Sequence, residues 1–188
     1  TKVMSLLMTW SYFHKLYEAD SKLSTNFLLI APNIIVLDRL RTDFDGARIF
    51  CADPLLPPDG YEGRDWDIDF QLTVHIQDEI GFVPERGNLF LTNIHRVYES
   101  GKEASFDDED TTDYFLGKKP VTRPTDSSVD LGVIIRDVND LVILNDEAHH
   151  IHDPSMAWFK SIQDITMRLR QKGAHLSAQL DLTATPRH

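Results

Sequence analysis

Two adjacent carboxylates, Asp146 and Glu147, follow the wholly apolar run Leu141-Val142-Ile143-Leu144 and a single Asn145. Such a pair can serve the transfer of a phosphoryl group to water. One carboxylate holds a magnesium ion, and the other orients or deprotonates the water. Neighbouring carboxylates repel, and a divalent cation relieves the repulsion. Asp146 therefore reads as a metal ligand and Glu147 as the group that aligns the attacking water. A second cluster, His149, His150, His152 and Asp153, carries metal-ligand residue types at close spacing. Adjacent side chains on an extended segment point to opposite faces, so His149 and His150 do not easily share one ion. With Asp146, this cluster leaves a metal-dependent hydrolase as an alternative reading.

The elements that must position these groups follow from hydrophobic patterning. A short continuous apolar run such as 141–144 fits a strand buried on both faces of a parallel sheet. Its C-terminal end is where open α/β sheets bind ligands. Phe27 to Ala31 is a second buried strand, closed by Pro32-Asn33, with a short helix from Ile34 to Leu40. Leu89 to Thr92 is a third, followed by Asn93. Ala47 to Ala52 is expected to be a strand, and Ile68 to Ile76 a half-exposed one, because its apolar residues alternate with polar ones. Residues 2–18 have helical spacing, with Val3, Leu6, Leu7, Trp10, Phe13, Leu16 and Tyr17 as the apolar stripe. Asp153-Pro154 opens another helix, with Trp158, Ile162, Ile165 and Leu169 inward, basic residues in the last turn and Gly173 at its end. A helix over Val129 to Val138 leads into the strand at Leu141, and Leu180 to Thr183 is the final strand. Strands alternating with helices predict an α/β fold with a mostly parallel sheet flanked by helices. One domain spanning 1–188 is expected, with loop insertions at about 53–67 and 99–128, the second strongly acidic.

Composition narrows the function. The chain has 188 residues and a formal net charge of -11. A field of that sign does not draw in nucleic acid or an anionic membrane, so any DNA or RNA contact must be local and geometric. The single cysteine, Cys51, excludes an internal disulfide and fits a reducing, cytoplasmic compartment. It lies in an apolar stretch and is expected to be a buried, inert thiol. No apolar run approaches the roughly 20 residues that span a bilayer, and no signal peptide is evident.

Four segments in order carry a family likeness. Asp146-Glu147-Ala148-His149 resembles the DEAH-type motif II of superfamily two helicases and translocases. Thr183-Ala184-Thr185 resembles their motif III, Ala31-Pro32-Asn33 through Arg39-Leu40 their motif Ia, and Thr92-Asn93 sits where they carry a further strand-end contact to nucleic acid. The flavour is closest to the Res subunit of type III restriction enzymes.

The resemblance implies a first RecA-like P-loop NTPase domain that binds ATP and Mg2+. Catalysis would fall to Asp146, Glu147 and His149, and Thr183 and Thr185 would bond Asp146 or His149 across neighbouring strand ends. It implies DNA as the partner, with RNA as the alternative, held by its backbone through Pro32, Asn33, Arg39, Thr92 and Asn93. A second RecA-like domain and a restriction-modification partner subunit would complete the machine. No G-x-x-x-x-G-K-[ST] phosphate loop occurs in the sequence. Thr1 and Lys2, opening an amphipathic helix, look like that motif's continuation, with the Thr1 hydroxyl toward magnesium and the helix N-terminus toward phosphate. The chain alone is accordingly expected to be inactive. The same fold acting as a non-catalytic scaffold or nucleic-acid-binding module is the remaining alternative.

Overall fold

The Phe27–Ala31 run forms the middle of the sheet. In the computed structural model, which describes residues 1–52, 63–76, 82–93, 136–146 and 157–183, β1 (Asn26–Ala31) has all six residues buried. It pairs in parallel with β3 (Asn88–Asn93) on one side and β4 (Asp140–Asn145) on the other. β2 (Thr73–Ile76) lies outside β3, and β5 (His175–Asp181) outside β4, giving the order β2-β3-β1-β4-β5. Every pairing is parallel, so all five C-terminal ends lie on one edge. The continuous apolar runs of β1, β3 and β4 follow from helices covering both faces.

Alternate residues feed two cores. Phe27, Leu29, Leu89, Leu91, Val142 and Leu144 pack with α1 (Lys2–Tyr17) and α2 (Ile34–Phe44). Leu28, Ile30, Phe90 and Ile143 pack on the other face with Ile162, Ile165 and Leu169 of the last helix (Ala157–Lys172). Each fully buried large side chain contributes roughly 1.5–3 kcal/mol relative to exposure. The inward stripe of the last helix is as expected for its three described members. Gly173, at φ 83°, ends that helix in a Schellman turn, with Ala174 N–H donating to the Leu169 carbonyl at 2.9 Å.

Several expectations need correction. Ala47–Ala52 is not a strand. The chain turns at Gly46 and Ala47, both at positive φ, through a 3-10 turn (Asp45–Ala47) into the one-turn helix α3 (Ile49–Ala52). Cys51 on that turn is exposed, not buried. The Ile68–Ile76 stretch begins as another helical turn, α4 (Trp66–Asp69), on which the Asp65 carboxylate accepts from Ile68 N–H at 3.3 Å; only Thr73–Ile76 is strand. The stripe of α1 is rotated. Met4, Met8, Tyr12 and Phe13 face the core, while Val3, Leu6 and Trp10 are 57%, 47% and 50% exposed. The final strand starts at His175 rather than Leu180. Most of the two insertions, nearly all of Val129–Val138 and the Asp153-Pro154 cap lie outside the described residues, as does the side chain of Trp158.

The N-terminal edge of the sheet carries a buried polar chain. Asn88 donates to the Asn26 side-chain oxygen at 2.8 Å, and His75 Nε2 pairs with Asn88 Oδ1 at 2.8 Å while stacking on Phe90. Elsewhere, Tyr17 donates to the Asp69 carboxylate under the Arg64 guanidinium. Burial, and then that acceptor, push the Tyr17 hydroxyl up to about 12 from 10.0. The raised value favours the protonated form in the folded state. Its contribution is complete below pH 10.0 and is lost as pH climbs through about 12. Phenolate absorbance of the native protein and of Tyr17→Phe should therefore coincide to about pH 11 and separate only above it; separation centred at pH 10 would contradict this environment.

Candidate functional site

The site grows from strand register. Ile30 of β1 is level with Asn145 of β4, and Asn145 is level with Asp181 of β5. Backbone bonds extend the ladder by one residue: Asp146 N–H donates to the Ile30 carbonyl at 3.1 Å, and Leu182 N–H to the Asn145 carbonyl at 2.9 Å. Asp146 and the Leu182-Thr183 end thus leave neighbouring strands at the same level, where strands are roughly 5 Å apart. The Asn145 amide ties the two tips together by donating to the Asp181 carboxylate at 2.6 Å, and Gln179 donates to the same carboxylate at 3.0 Å. Neither Asn145 nor Asp181 was singled out as functional from the sequence. The only hint was an amide interrupting an apolar run immediately before an acid pair.

α2 supplies the other wall. Asn33 caps it, its side-chain oxygen accepting from Val36 N–H at 3.0 Å. The cap places α2 directly after the end of β1, beside Asp146. Arg39 then reaches back across the edge, its Nη2 3.3 Å from Asp146 Oδ2. The Asp146 side chain is only 13% exposed, whereas that of Arg39 is 60% exposed. One turn along the same face, Asp43 accepts a hydrogen bond from the Thr1 hydroxyl at 2.7 Å. Thr1 makes no side-chain cap to its own helix. The hydroxyl expected to approach magnesium and the carboxylate expected to hold it therefore meet the same face of α2, at positions one turn apart.

The Asp146 carboxylate and the Thr1 hydroxyl are both hard oxygen donors, the ligand type that magnesium takes. The Arg39 guanidinium already lies against the Asp146 carboxylate as its counter-charge.

The remaining expected residues are distributed as follows. Lys2 is exposed in the first turn of α1, and Thr183 is exposed just past β5. Pro32 is half-buried, and Asn33 is exposed. Thr92 and Asn93 end β3 on the same edge, but both are buried, and the Thr92 hydroxyl bonds the Asn93 carbonyl at 3.4 Å. The structure thus pairs Asp146 with Arg39 and Thr1 with Asp43, one turn apart on α2, with Thr183 at the next strand end, and buries Thr92 and Asn93. Glu147, His149, His150, His152, Asp153 and Thr185 lie outside the described residues. The Arg39–Asp146 and Thr1–Asp43 pairs were not legible in the sequence, since 107 and 42 residues separate the partners.

A family model described as type III restriction enzyme, res subunit, matches residues 1–188. No curated protein and no solved structure matches the chain.

Proposed function

Because the chain belongs to the family of type III restriction enzyme res subunits, a family of helicase-like ATPase motor domains with an α/β RecA-like fold, we propose that it hydrolyses ATP to drive movement along, or remodelling of, DNA. The observation that carries this reading is that Asp146 and Thr1 bond residues one turn apart on α2, Arg39 and Asp43, with the Thr183 strand end next to that of Asp146. Bound magnesium would supply the charge that neutralises the terminal phosphates. Asp146 and the Thr1 hydroxyl would hold that ion. Lys2 and the N-terminal end of α1 offer positive potential to the phosphates. Glu147 aligns the attacking water and accepts its proton, and His149 is assigned to the same catalytic group. Thr183 and Thr185 connect the β5 end to Asp146 and His149, so that a change at one strand end is felt at the other.

DNA lies along the same edge, held through phosphates by Pro32, Asn33 and Arg39, with no reading of bases. Thr92 and Asn93 are buried, so their part is to shape the floor of that edge. A second RecA-like domain of the full-length protein supplies the cationic group that stabilises the transferring phosphoryl. We place the protein in the cytoplasm as part of a restriction system. Among the described residues, no helix is long and apolar enough to cross a membrane.

The test is steady-state ATP hydrolysis by the full-length protein with and without duplex DNA. Magnesium-dependent hydrolysis that rises on adding DNA of unrelated sequences is the expected result. Absence of hydrolysis under both conditions would refute the motor reading.

A further inference from the structure

We infer that Arg39 is an internal counter-ion that competes with a divalent cation for Asp146, so that occupation of the metal site releases Arg39 toward phosphate. The inference rests on the function proposed above and adds to it a coupling device. In the structure the Arg39 guanidinium lies 3.3 Å from Asp146 Oδ2. A magnesium ion on that carboxylate would stand within a few ångströms of a like charge, and the two repel. Arg39 is free to leave, because its side chain is 60% exposed and extends from the middle of α2. Asp146 is not, being fixed by its backbone bond to β1 and mostly buried.

The consequence is a linkage. A cation at Asp146 must break the ion pair, and so must a phosphate at Arg39. Whichever ligand binds first meets that cost, and the second binds without it. The two sites are therefore positively coupled by the strength of the pair, reciprocally. For a partly exposed pair this is about two- to fivefold in affinity. The helix that carries Arg39 is the one that Asn33 caps at the DNA edge, so the released side chain starts next to the proposed phosphate contacts.

The experiment uses the full-length protein, Mn2+ alone as the metal probe followed by electron paramagnetic resonance, and a fluorescent duplex of mixed sequence followed by anisotropy. The relevant Mn2+ is the part lost in Asp146→Asn. Arg39→Gln should tighten that Mn2+ about two- to fivefold. Arg41→Gln removes the same formal charge two residues away and should tighten it less. In the DNA arm, Asp146→Asn without metal should strengthen binding by about the same factor as the pair is worth. Adding Asp146→Asn to Arg39→Gln should bring no such gain. Equal tightening in the two arginine variants, no tightening in Arg39→Gln, or no Asp146-dependent Mn2+ at all would overturn the exchange. A wild-type protein that binds no DNA would sink the motor reading instead, while the Mn2+ arm would still decide whether Arg39 and the metal compete.

Discussion

Glu147→Gln in the full-length protein is expected to lower ATP turnover by about 10²- to 10⁴-fold, while ATP affinity stays close to that of the wild type. Gln keeps the shape of Glu and can still hydrogen-bond a water, but it cannot take the proton. A group that acts only as the nucleophile is formed is lost from kcat and spared in binding. Asp146→Asn should behave differently. Asp146 sits at the floor of the site, level with the β1 and β5 ends, and its carboxylate already faces a cation. Its loss should therefore weaken magnesium-nucleotide binding together with turnover. The contrast is read from kcat and from an equilibrium nucleotide titration on each variant. Turnover of Glu147→Gln within a few-fold of wild type would remove Glu147 from the chemistry. Equal loss of binding in both variants would mean that the two carboxylates act as one ligand set.

The position of Asp146 at the C-terminal edge of the sheet was legible because it follows a run that has a single interpretation. Leu141 to Leu144 can satisfy both of its faces only inside a covered parallel sheet, and the structure buries all four. The residue after such a strand emerges at the ligand-binding edge. What surrounds Asp146 could not be read in the same way. Arg39 lies on a helix whose exposed face carries no periodic signal, and its partner comes from a distant strand. Asn145 looks like an ordinary polar residue until β5 is placed beside β4 and Asp181 comes level with it. Thr92 and Asn93 were expected to present themselves to nucleic acid from their position at a strand end. Position along the strand says nothing of depth, and these two side chains are covered.

The fold was legible where an element is long or wholly apolar, and misread where it is short or apolar all round. α1 has large apolar side chains on every side, so several stripes fit it equally well. The true inward face includes Ser5, Thr9 and Ser11, which a hydrophobic stripe would not choose. Each hydroxyl is satisfied by a backbone carbonyl: Ser5 by Lys2 at 2.8 Å, Thr9 by Ser5 at 2.9 Å and Ser11 by Ser24 at 2.7 Å. Burial then costs little, and Trp10 is left outside. Ala47–Ala52 is too short for period 2 to be told from period 3.6, and the two positive-φ residues before it decide the matter.

Gly87→Ala should be the most damaging single methyl group that can be added at a described glycine. Gly87 sits at φ +76°, where an L side chain costs about 1–2 kcal/mol. Its added Cβ would also lie 2.0 Å from the Gln71 carbonyl oxygen and 3.5 Å from the Tyr12 hydroxyl. The first neighbour is backbone and cannot swing aside. It is held where it is because the Tyr12 hydroxyl bonds the Gln71 carbonyl and accepts from Gln71 N–H, each at 3.2 Å. Gly87 itself is pinned from both sides. Its carbonyl accepts from Thr73 N–H at 2.7 Å at the start of β2, and its N–H donates to the Thr25 hydroxyl at 3.3 Å just before β1. Relieving the clash means pulling β3 away from one neighbour or the other, and β3 is the strand that joins β2 to the rest of the sheet. A loss of about 3 kcal/mol or more is expected, on the scale of a buried network broken outright. In a chain of this size that lowers the melting midpoint by roughly 6–12 °C. Gly173→Ala is the control, since Gly173 has φ +83° and open space around its absent Cβ. It should show only the conformational part, about 1–2 kcal/mol. Equal midpoint shifts in the two variants would mean that the approach of Gln71 to Gly87 carries no weight in the fold.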